Sequence, residues 1–75
     1  DKAIRYYNEA FALAEQRNDL RVQCHLYYYI GQAHQQKGDT DKALLFLSKS
    51  LGIAHELGLR DWHLRNLIGL SNIYQ

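Results

Sequence analysis

Apolar residues recur along the chain at α-helical spacing, in four segments separated by short polar breaks. In residues 1–17 they fall on one face of a helix, which carries Ala3, Tyr7, Ala10, Phe11 and Ala14, with Ile4 beside them. Residues 40–57 repeat this spacing with Ala43, Leu47, Ser50, Leu51 and Ala54. Because apolar positions three and four apart share one helical face, both segments are predicted to be helices with one buried stripe.

The breaks between the segments contain residues that end one helix and start the next. Each break has a residue that tolerates the left-handed conformation of a helix C-terminus; these are Asn18, Gly38 and Gly58. The predicted N-caps are Asp19 for the second helix, Asp39 or Thr40 for the third, and Asp61 for the fourth. The fourth segment reaches residue 75 without a stop signal, and the chain starts without Met. We therefore expect it to be a piece of a longer protein.

The second segment, residues 20–37, has no Lys, Arg, Asp or Glu from Val22 to Gln36. A surface helix of a small protein normally has a charged face in contact with water. Because this helix has none, two of its faces are expected to contact other groups. One stripe is predicted to face the core and consists of Tyr27, Ile30, Gly31 and His34. Glycine costs about 1 kcal/mol relative to alanine inside a helix. Gly31 is therefore predicted to allow a close approach to Ala43 of the third helix.

The chain matches itself when it is shifted by 40 residues. Asp1-Lys2-Ala3 then falls on Asp41-Lys42-Ala43, Leu13-Ala14 on Ile53-Ala54, and Asn18 on Gly58. Identities are few, but small residues match small residues and helix ends match helix ends. A period between 20 and 50 residues is typical of helical repeat proteins, in which each unit stacks on its neighbours.

The repeated unit resembles the tetratricopeptide repeat (TPR), a hairpin of a helix A and a helix B. The resemblance rests on Tyr27, Ile30, Gly31 and His34, then Gly38-Asp39, then Ala43, Leu47, Ser50 and Leu51. Leu67, Leu70, Ser71, Asn72, Ile73 and Tyr74 resemble the start of a further repeat. The 40-residue period is similar to that of polarity-adaptor and kinesin-light-chain arrays and of some bacterial regulators.

This resemblance implies an all-α fold in which antiparallel helical hairpins stack as a fragment of an α-solenoid. Its four helices would follow the order B-A-B-A. Residues 1–18 would be helix B of a preceding repeat, residues 20–58 one complete repeat, and residues 60–75 helix A of a following repeat. One missing neighbouring helix would be faced by Ala3, Tyr7 and Ala10, and the other by Leu67, Leu70, Ser71 and Tyr74. If the piece exists alone, we expect head-to-tail or helix-swapped self-association.

The resemblance further implies a non-catalytic scaffold that binds a protein or peptide in a groove lined by the A helices. On the second helix the groove stripe is His25, Tyr28, Gln32 and Gln35. On the fourth it is Arg65, Ile68, Asn72 and Gln75. Asn72 stands where the family's amide commonly bonds a peptide backbone. A chaperone-type carboxylate clamp is not expected, because Tyr28, Gln32, Ile68 and Asn72 occupy positions where that subclass uses Lys and Asn.

Two alternatives to a groove-binding scaffold stay open at this point. The groove stripe could be a polar, solvated face without a ligand. The chain could also be the peptide-sensing regulatory domain of a bacterial-type regulator.

The aromatic residues and Cys24 receive structural roles in this interpretation. Tyr27 is predicted to lie in the core, Tyr28 in the groove and Tyr29 at its rim against a neighbouring helix; packing between repeats is the open alternative for all three. Trp62 is predicted to fasten the fourth helix to the preceding one. Cys24 beside His25 invites a nucleophile hypothesis, but adjacent helical residues diverge and no orienting acid is near. A buried packing thiol is the preferred interpretation.

Composition and charge argue against several other classes of protein. The 75 residues carry a net charge of +1, which favours neither nucleic acid nor an anionic membrane as partner. No apolar run approaches the roughly 20 residues of a membrane span. The four histidines form no i, i+4 pair, so no metal or other cofactor is expected. The single cysteine cannot form an internal disulfide, which favours a cytoplasmic location.

Overall fold

The computed structural model describes residues 2–74, and this part of the chain consists of four α-helices with no strand. They are α1 (Lys2–Gln16), α2 (Leu20–Gln36), α3 (Thr40–Leu57) and α4 (Arg60–Ile73). The all-α prediction is confirmed; α1, α2 and α3 lie within the segments predicted for them, whereas α4 begins at Arg60, before the N-cap predicted at Asp61. Gln75 of the predicted groove stripe lies outside the described residues. None of the four helices combines the length and the apolar character that crossing a membrane requires.

The three turns between the helices have the same geometry and are 20 residues apart. Each contains one left-handed residue, as predicted: Asn18 (φ 54°), Gly38 (φ 83°) and Gly58 (φ 68°). The next residue donates its N–H to the carbonyl five positions back, in the pairs Asp19–Ala14 (2.9 Å), Asp39–His34 (2.9 Å) and Leu59–Ala54 (2.8 Å). This is the Schellman arrangement, which satisfies carbonyls at a helix C-terminus. Repetition of one turn makes the chain a series of similar hairpins.

Two of the three predicted N-caps are confirmed. Asp19 Oδ1 accepts from the N–H of Val22 (3.2 Å), and Asp39 Oδ1 accepts from that of Lys42 (3.4 Å). The prediction that Asp61 caps α4 is wrong, because the N-cap is Leu59, whose side chain makes no capping bond. In all three turns the N-cap directly follows the left-handed residue, and this spacing leaves Asp61 inside the first turn. A carboxylate there still interacts favourably with the helix dipole.

The helices pack as successive antiparallel neighbours, with one additional contact between alternate helices. α1 packs on α2, α2 on α3 and α3 on α4, and α2 also touches α4. Among the described residues, α1 packs against α2 alone. The buried apolar side chains are Ala14, Cys24, Leu26, Ile30, Ala43, Leu47 and Ala54. Since α1 has one neighbour, Ala14 is its only buried residue, and the other positions of its predicted stripe are half-buried or exposed.

Gly31 of α2 lies close to the backbone and side chain of Leu47 of α3. A Cβ placed on Gly31 would lie 2.9 Å from Leu47 Cγ and 3.2 Å from the Leu47 backbone nitrogen. Gly31 is therefore needed for a close approach of α2 to α3, as predicted, and the three atoms nearest to its would-be Cβ belong to Leu47. From the opposite side, a Cβ on Gly69 of α4 would lie 3.3 Å from Leu47 Cδ1. Leu47 is thus held between α2 and α4.

The core-facing stripe predicted for α2 is confirmed in three of its four positions. Ile30, Gly31 and His34 are buried, whereas Tyr27 is half-buried. The Tyr27 ring contacts Phe11 of α1 (centroids 4.5 Å apart) and Phe46 of α3 (6.0 Å). Tyr27 therefore joins three helices at the edge of the core.

Candidate functional site

The candidate site is the surface shared by α2 and α4, and its centre is the indole of Trp62. This ring stacks on the imidazole of His25, with centroids 3.9 Å apart and an interplanar angle of 21°. It meets the ring of Tyr28 edge-on at 5.4 Å, and the Arg65 guanidinium lies over it at 5.0 Å. The sequence predicted that Trp62 fastens α4 to α3, whereas these ring contacts fasten α4 to α2.

A row of tyrosines extends this aromatic surface towards α1. Tyr29 meets Trp62 edge-on at 6.0 Å and stacks on Tyr7 of α1 at 5.7 Å. Tyr7 in turn meets Tyr6 edge-on at 5.8 Å. Tyr29 packs on a neighbouring helix, as predicted, and that helix is α1.

Tyr28 and Gln32 form a polar pair on the same face of α2. Gln32 Nε2 donates to the Tyr28 hydroxyl oxygen at 2.8 Å, and both side chains are half-buried. The bond leaves Gln32 Oε1 as an acceptor and the Tyr28 hydroxyl hydrogen as a donor. A donor and an acceptor held side by side match the N–H and C=O groups of a peptide backbone.

The structure brings together some of the predicted site residues and leaves others apart. His25, Tyr28 and Arg65 meet around Trp62, and Gln32 joins them through Tyr28. Within residues 2–74, no hydrogen bond or ring contact connects this cluster to the rest of the predicted groove stripe, which is the half-buried Gln35 and the exposed Ile68 and Asn72.

Sequence reasoning missed Trp62 as the centre of the site. The sequence feature that could have found it is the i, i+3 spacing of the α4 stripe. Extending that stripe back by three residues from Arg65 reaches Trp62.

The charges that act on His25 are those of Arg21 on α2, Asp19 at the N-cap of α2 and Arg65 on α4. Burial lowers the pKa of His25, and the positive charges of Arg21 and Arg65 lower it further, against an opposing effect of Asp19. The Nε2 atom of His25 is buried and has no hydrogen-bond partner among residues 2–74. The imidazole is therefore uncharged at neutral pH, and it serves as a stacking surface for Trp62.

A buried polar chain behind the aromatic cluster fixes the position of α4. Asn66 Nδ2 donates to the Ser50 hydroxyl oxygen and to the backbone carbonyl of Trp62, each at 2.8 Å. Ser50 donates its own hydrogen to the carbonyl of Cys24 at 2.7 Å. The sequence placed Ser50 in the core but missed Asn66. A hydroxyl expected in a core needs a polar partner, and this requirement could have directed attention to Asn66.

Cys24 is a buried thiol, as the sequence predicted. Its exposure is 0%, and its Sγ lies 3.4 Å from the carbonyl oxygen of Ser50. Burial raises the pKa of the thiol, against a lowering effect of its hydrogen bond with the Ser50 hydroxyl. The neighbouring His25 contacts Trp62, so the two side chains point to different surroundings. The residues are not arranged as a thiolate–imidazole pair.

Two other histidines, which the sequence did not pair, meet across the turn between α3 and α4. The ring centroids of His55 and His63 are 5.8 Å apart. In the described part of the chain, no three His, Cys, Asp or Glu residues are grouped so that they could hold a metal ion.

No family model, curated protein or solved structure matches this chain. The functional proposal therefore rests on the residues and contacts described above.

Proposed function

We propose that this chain is a non-catalytic, TPR-like scaffold that binds a protein or peptide segment along the surface of α2 and α4. The groove face is defined by Trp62 together with the predicted residues His25, Tyr28, Gln32, Gln35, Arg65, Ile68 and Asn72. The observation that carries this proposal is the stacking of Trp62 on His25, since it joins two alternate helices into one aromatic surface.

The arrangement of the helices supports a repeat of hairpins. Consecutive helices pack together, α2 reaches past α3 to touch α4, and one turn geometry recurs every 20 residues. In such a stack the alternate helices line one face, so a ligand lying across that face contacts several of them.

The chemistry of the groove face suits an uncharged peptide backbone with apolar side chains. Tyrosine and tryptophan offer large apolar rings with a polar tip and are common at protein interfaces. The Tyr28–Gln32 pair and the Asn72 amide supply donors and acceptors for the backbone. The α2 part of the face, from Val22 to Gln36, has no charge that would have to be desolvated, and Arg65 on α4 is the charged residue of the groove face.

The contacts of Cys24 support a non-catalytic role. The only thiol of the chain is buried, and burial keeps it protonated by raising its pKa. A nucleophile has to reach its substrate and ionise.

Selection of a random peptide library on the 75-residue chain tests this proposal. Trp62 is the only tryptophan, so its fluorescence reports binding at the groove face. We expect selected peptides to change the emission of Trp62. Arg65→Ala and Asn72→Ala should each raise Kd by about tenfold, the effect of a binding residue worth about 1.4 kcal/mol.

The control for these variants is Leu45→Ala, which changes an exposed residue of α3 away from the groove face. It should bind selected peptides as the wild type does. Arg65 and Asn72 are exposed, so their replacement should leave the helical circular dichroism unchanged. The proposal fails if selection enriches no peptide, or if both groove variants bind with wild-type affinity.

A further inference from the structure

The two most exposed large hydrophobic side chains of the described residues lie on α1 and at the end of α4. Tyr6 is 66% exposed and Tyr74 is 76% exposed. Leu64 (58%) and Leu67 (44%) lie on α4 with Tyr74. Removing such apolar surface from water is favourable, so these two helices have surfaces that would gain from a partner.

The 40-residue register relates these surfaces to an interface inside the chain. In that interface, Phe46 of α3 stacks on Tyr27 (6.0 Å) and on His34 (5.6 Å) of α2. Shifted by 40 residues, Tyr27 becomes Leu67 and His34 becomes Tyr74, while Phe46 becomes Tyr6. The α4 surface thus corresponds to the side of α2 that covers α3, and α1 corresponds to α3.

The 40-residue register can be checked on the two helix pairs that are both present in the chain, α1 with α2 and α3 with α4. Leu47 of α3 packs against Gly69 of α4. Forty residues earlier, Tyr7 of α1 stacks on Tyr29 of α2. The packing of α1 on α2 therefore repeats the packing of α3 on α4, and the same shift can be applied to α2 and α3.

We propose that, when these 75 residues stand alone, α4 of one copy packs against α1 of a second copy, in the way that α2 packs against α3. The pairs would be Leu67 and Tyr74 with Tyr6, Leu64 with Ala10, and Ser71 with Tyr7. None of these side chains is charged, so the contact buries no ion. The occupant is a second copy because the chain itself contains both halves of the interface.

Such a contact continues the existing stack of helices. α1 packs against α2 alone within residues 2–74, and α4 follows α3 as α2 follows α1. A second copy would therefore add its four helices in the same order. The contact is heterologous, since it joins different surfaces of the two copies, and it can extend beyond a dimer.

Two differences between the two interfaces make the contact between copies looser. Gly31 of the internal interface corresponds to Ser71, and Leu47 corresponds to the larger Tyr7. A Cβ at Gly31 would lie 2.9 Å from Leu47 Cγ. Since Ser71 has this Cβ, α4 and the second α1 must be further apart than α2 and α3. The association is thus weaker than internal packing and depends on concentration.

Two variants, each with one disabled surface, test the proposal by sedimentation velocity and light scattering. Tyr6→Asp disables α1 and leaves α4 intact, whereas Leu67→Asp disables α4 and leaves α1 intact. The average mass of the wild type should rise above 8.8 kDa with concentration. Each variant alone should stay monomeric, with a dissociation constant raised about tenfold or more. An equimolar mixture should form a one-to-one dimer and nothing larger.

The control is Leu45→Asp, which introduces the same charge at an exposed leucine of α3 outside both surfaces. It should associate as the wild type does, and circular dichroism should show that all variants remain helical. A wild type that stays monomeric at millimolar concentration overturns the proposal. Association of either single variant at the wild-type level also overturns it, because this would indicate helix exchange or a symmetric contact. An equimolar mixture of the two variants that stays monomeric overturns it as well.

Discussion

The amide nitrogen of Asn66 lies 2.8 Å from the hydroxyl oxygen of Ser50, and both side chains are fully buried. Ser50 donates to the carbonyl of Cys24, and Asn66 also donates to the carbonyl of Trp62. One hydroxyl group therefore connects α2, α3 and α4. It costs free energy to leave a buried polar group without its hydrogen-bond partner. This chain of bonds therefore favours one rotation of α4 about its axis.

Replacing Ser50 with alanine should destabilise the protein by about 1–3 kcal/mol, the cost of leaving a buried polar group with fewer bonds. Asn66 would retain only the Trp62 carbonyl. Urea unfolding followed by circular dichroism measures the change. Ser48→Ala, an exposed position on the same helix, should change stability by less than about 0.5 kcal/mol. The double variant Ser50→Ala/Asn66→Ala should lose less stability than the sum of the losses of the two single variants, by at least about 0.5 kcal/mol. Additive losses would contradict the bond.

Three glycines inside helices should respond differently to replacement by alanine. Gly52 has no atom within 4 Å of its would-be Cβ, so Gly52→Ala should stabilise the protein by about 0.5–1 kcal/mol. Gly31→Ala should destabilise it, because overpacking against Leu47 costs about 1–3 kcal/mol. The stability of the Gly69→Ala protein should fall between those of the Gly31→Ala and Gly52→Ala proteins. Thermal unfolding gives this order, and a Gly31→Ala protein as stable as Gly52→Ala would refute the close approach.

The helix ends could be predicted from the sequence because they depend on neighbouring residues. A left-handed residue followed by aspartate was sufficient to locate two of the three junctions. The error at Asp61 was also local. Leu59 cannot cap with its side chain, so residue type pointed to Asp61, whereas the spacing of the turn puts the N-cap at Leu59.

The candidate site was less predictable because its contacts join residues far apart in the chain. The stacking of His25 on Trp62 depends on how α4 is rotated against both α2 and α3. Periodicity gives α4 an apolar stripe, yet the residues it buries are Asn66 and Gly69. Leu67 stays exposed because, in the described residues, α4 packs only on α2 and α3. Helical periodicity identifies faces but does not assign each face to a neighbour.

The Cys24 thiol should resist modification in the folded protein. Its exposure is 0%, and burial raises its pKa, so both access and ionisation are reduced. We expect a disulfide reagent to react with the folded chain at least about a hundredfold more slowly than with the chain in denaturant. The measurement is the release of the chromophoric thiol at pH 8. Because Ser50→Ala lowers the stability of the fold, that variant should react faster than the wild type. Equal rates in folded and denatured protein would refute the burial.

Acidification should weaken the fold through His25. Burial, Arg21 and Arg65 lower the pKa of folded His25 below its ordinary value of 6.5. Below about pH 6.5, the unfolded chain therefore binds a proton that the folded chain does not yet bind, and the free energy of unfolding falls. This loss continues until the pH reaches the pKa of folded His25. Urea unfolding between about pH 7.5 and pH 5 should show the decline.

His25→Phe is the matched variant for this pH dependence, because its ring can still stack on Trp62 but cannot bind a proton. Its free energy of unfolding should fall less than that of the wild type over the same pH range. His34, His55 and His63 are present in both proteins, so their contributions cancel in the comparison. An NMR titration should give His25 a pKa below 6.5, and Arg65→Ala should raise that pKa by removing a nearby positive charge. A native pKa at or above 6.5, or equal pH dependence in the two proteins, would rule out a buried and uncharged His25.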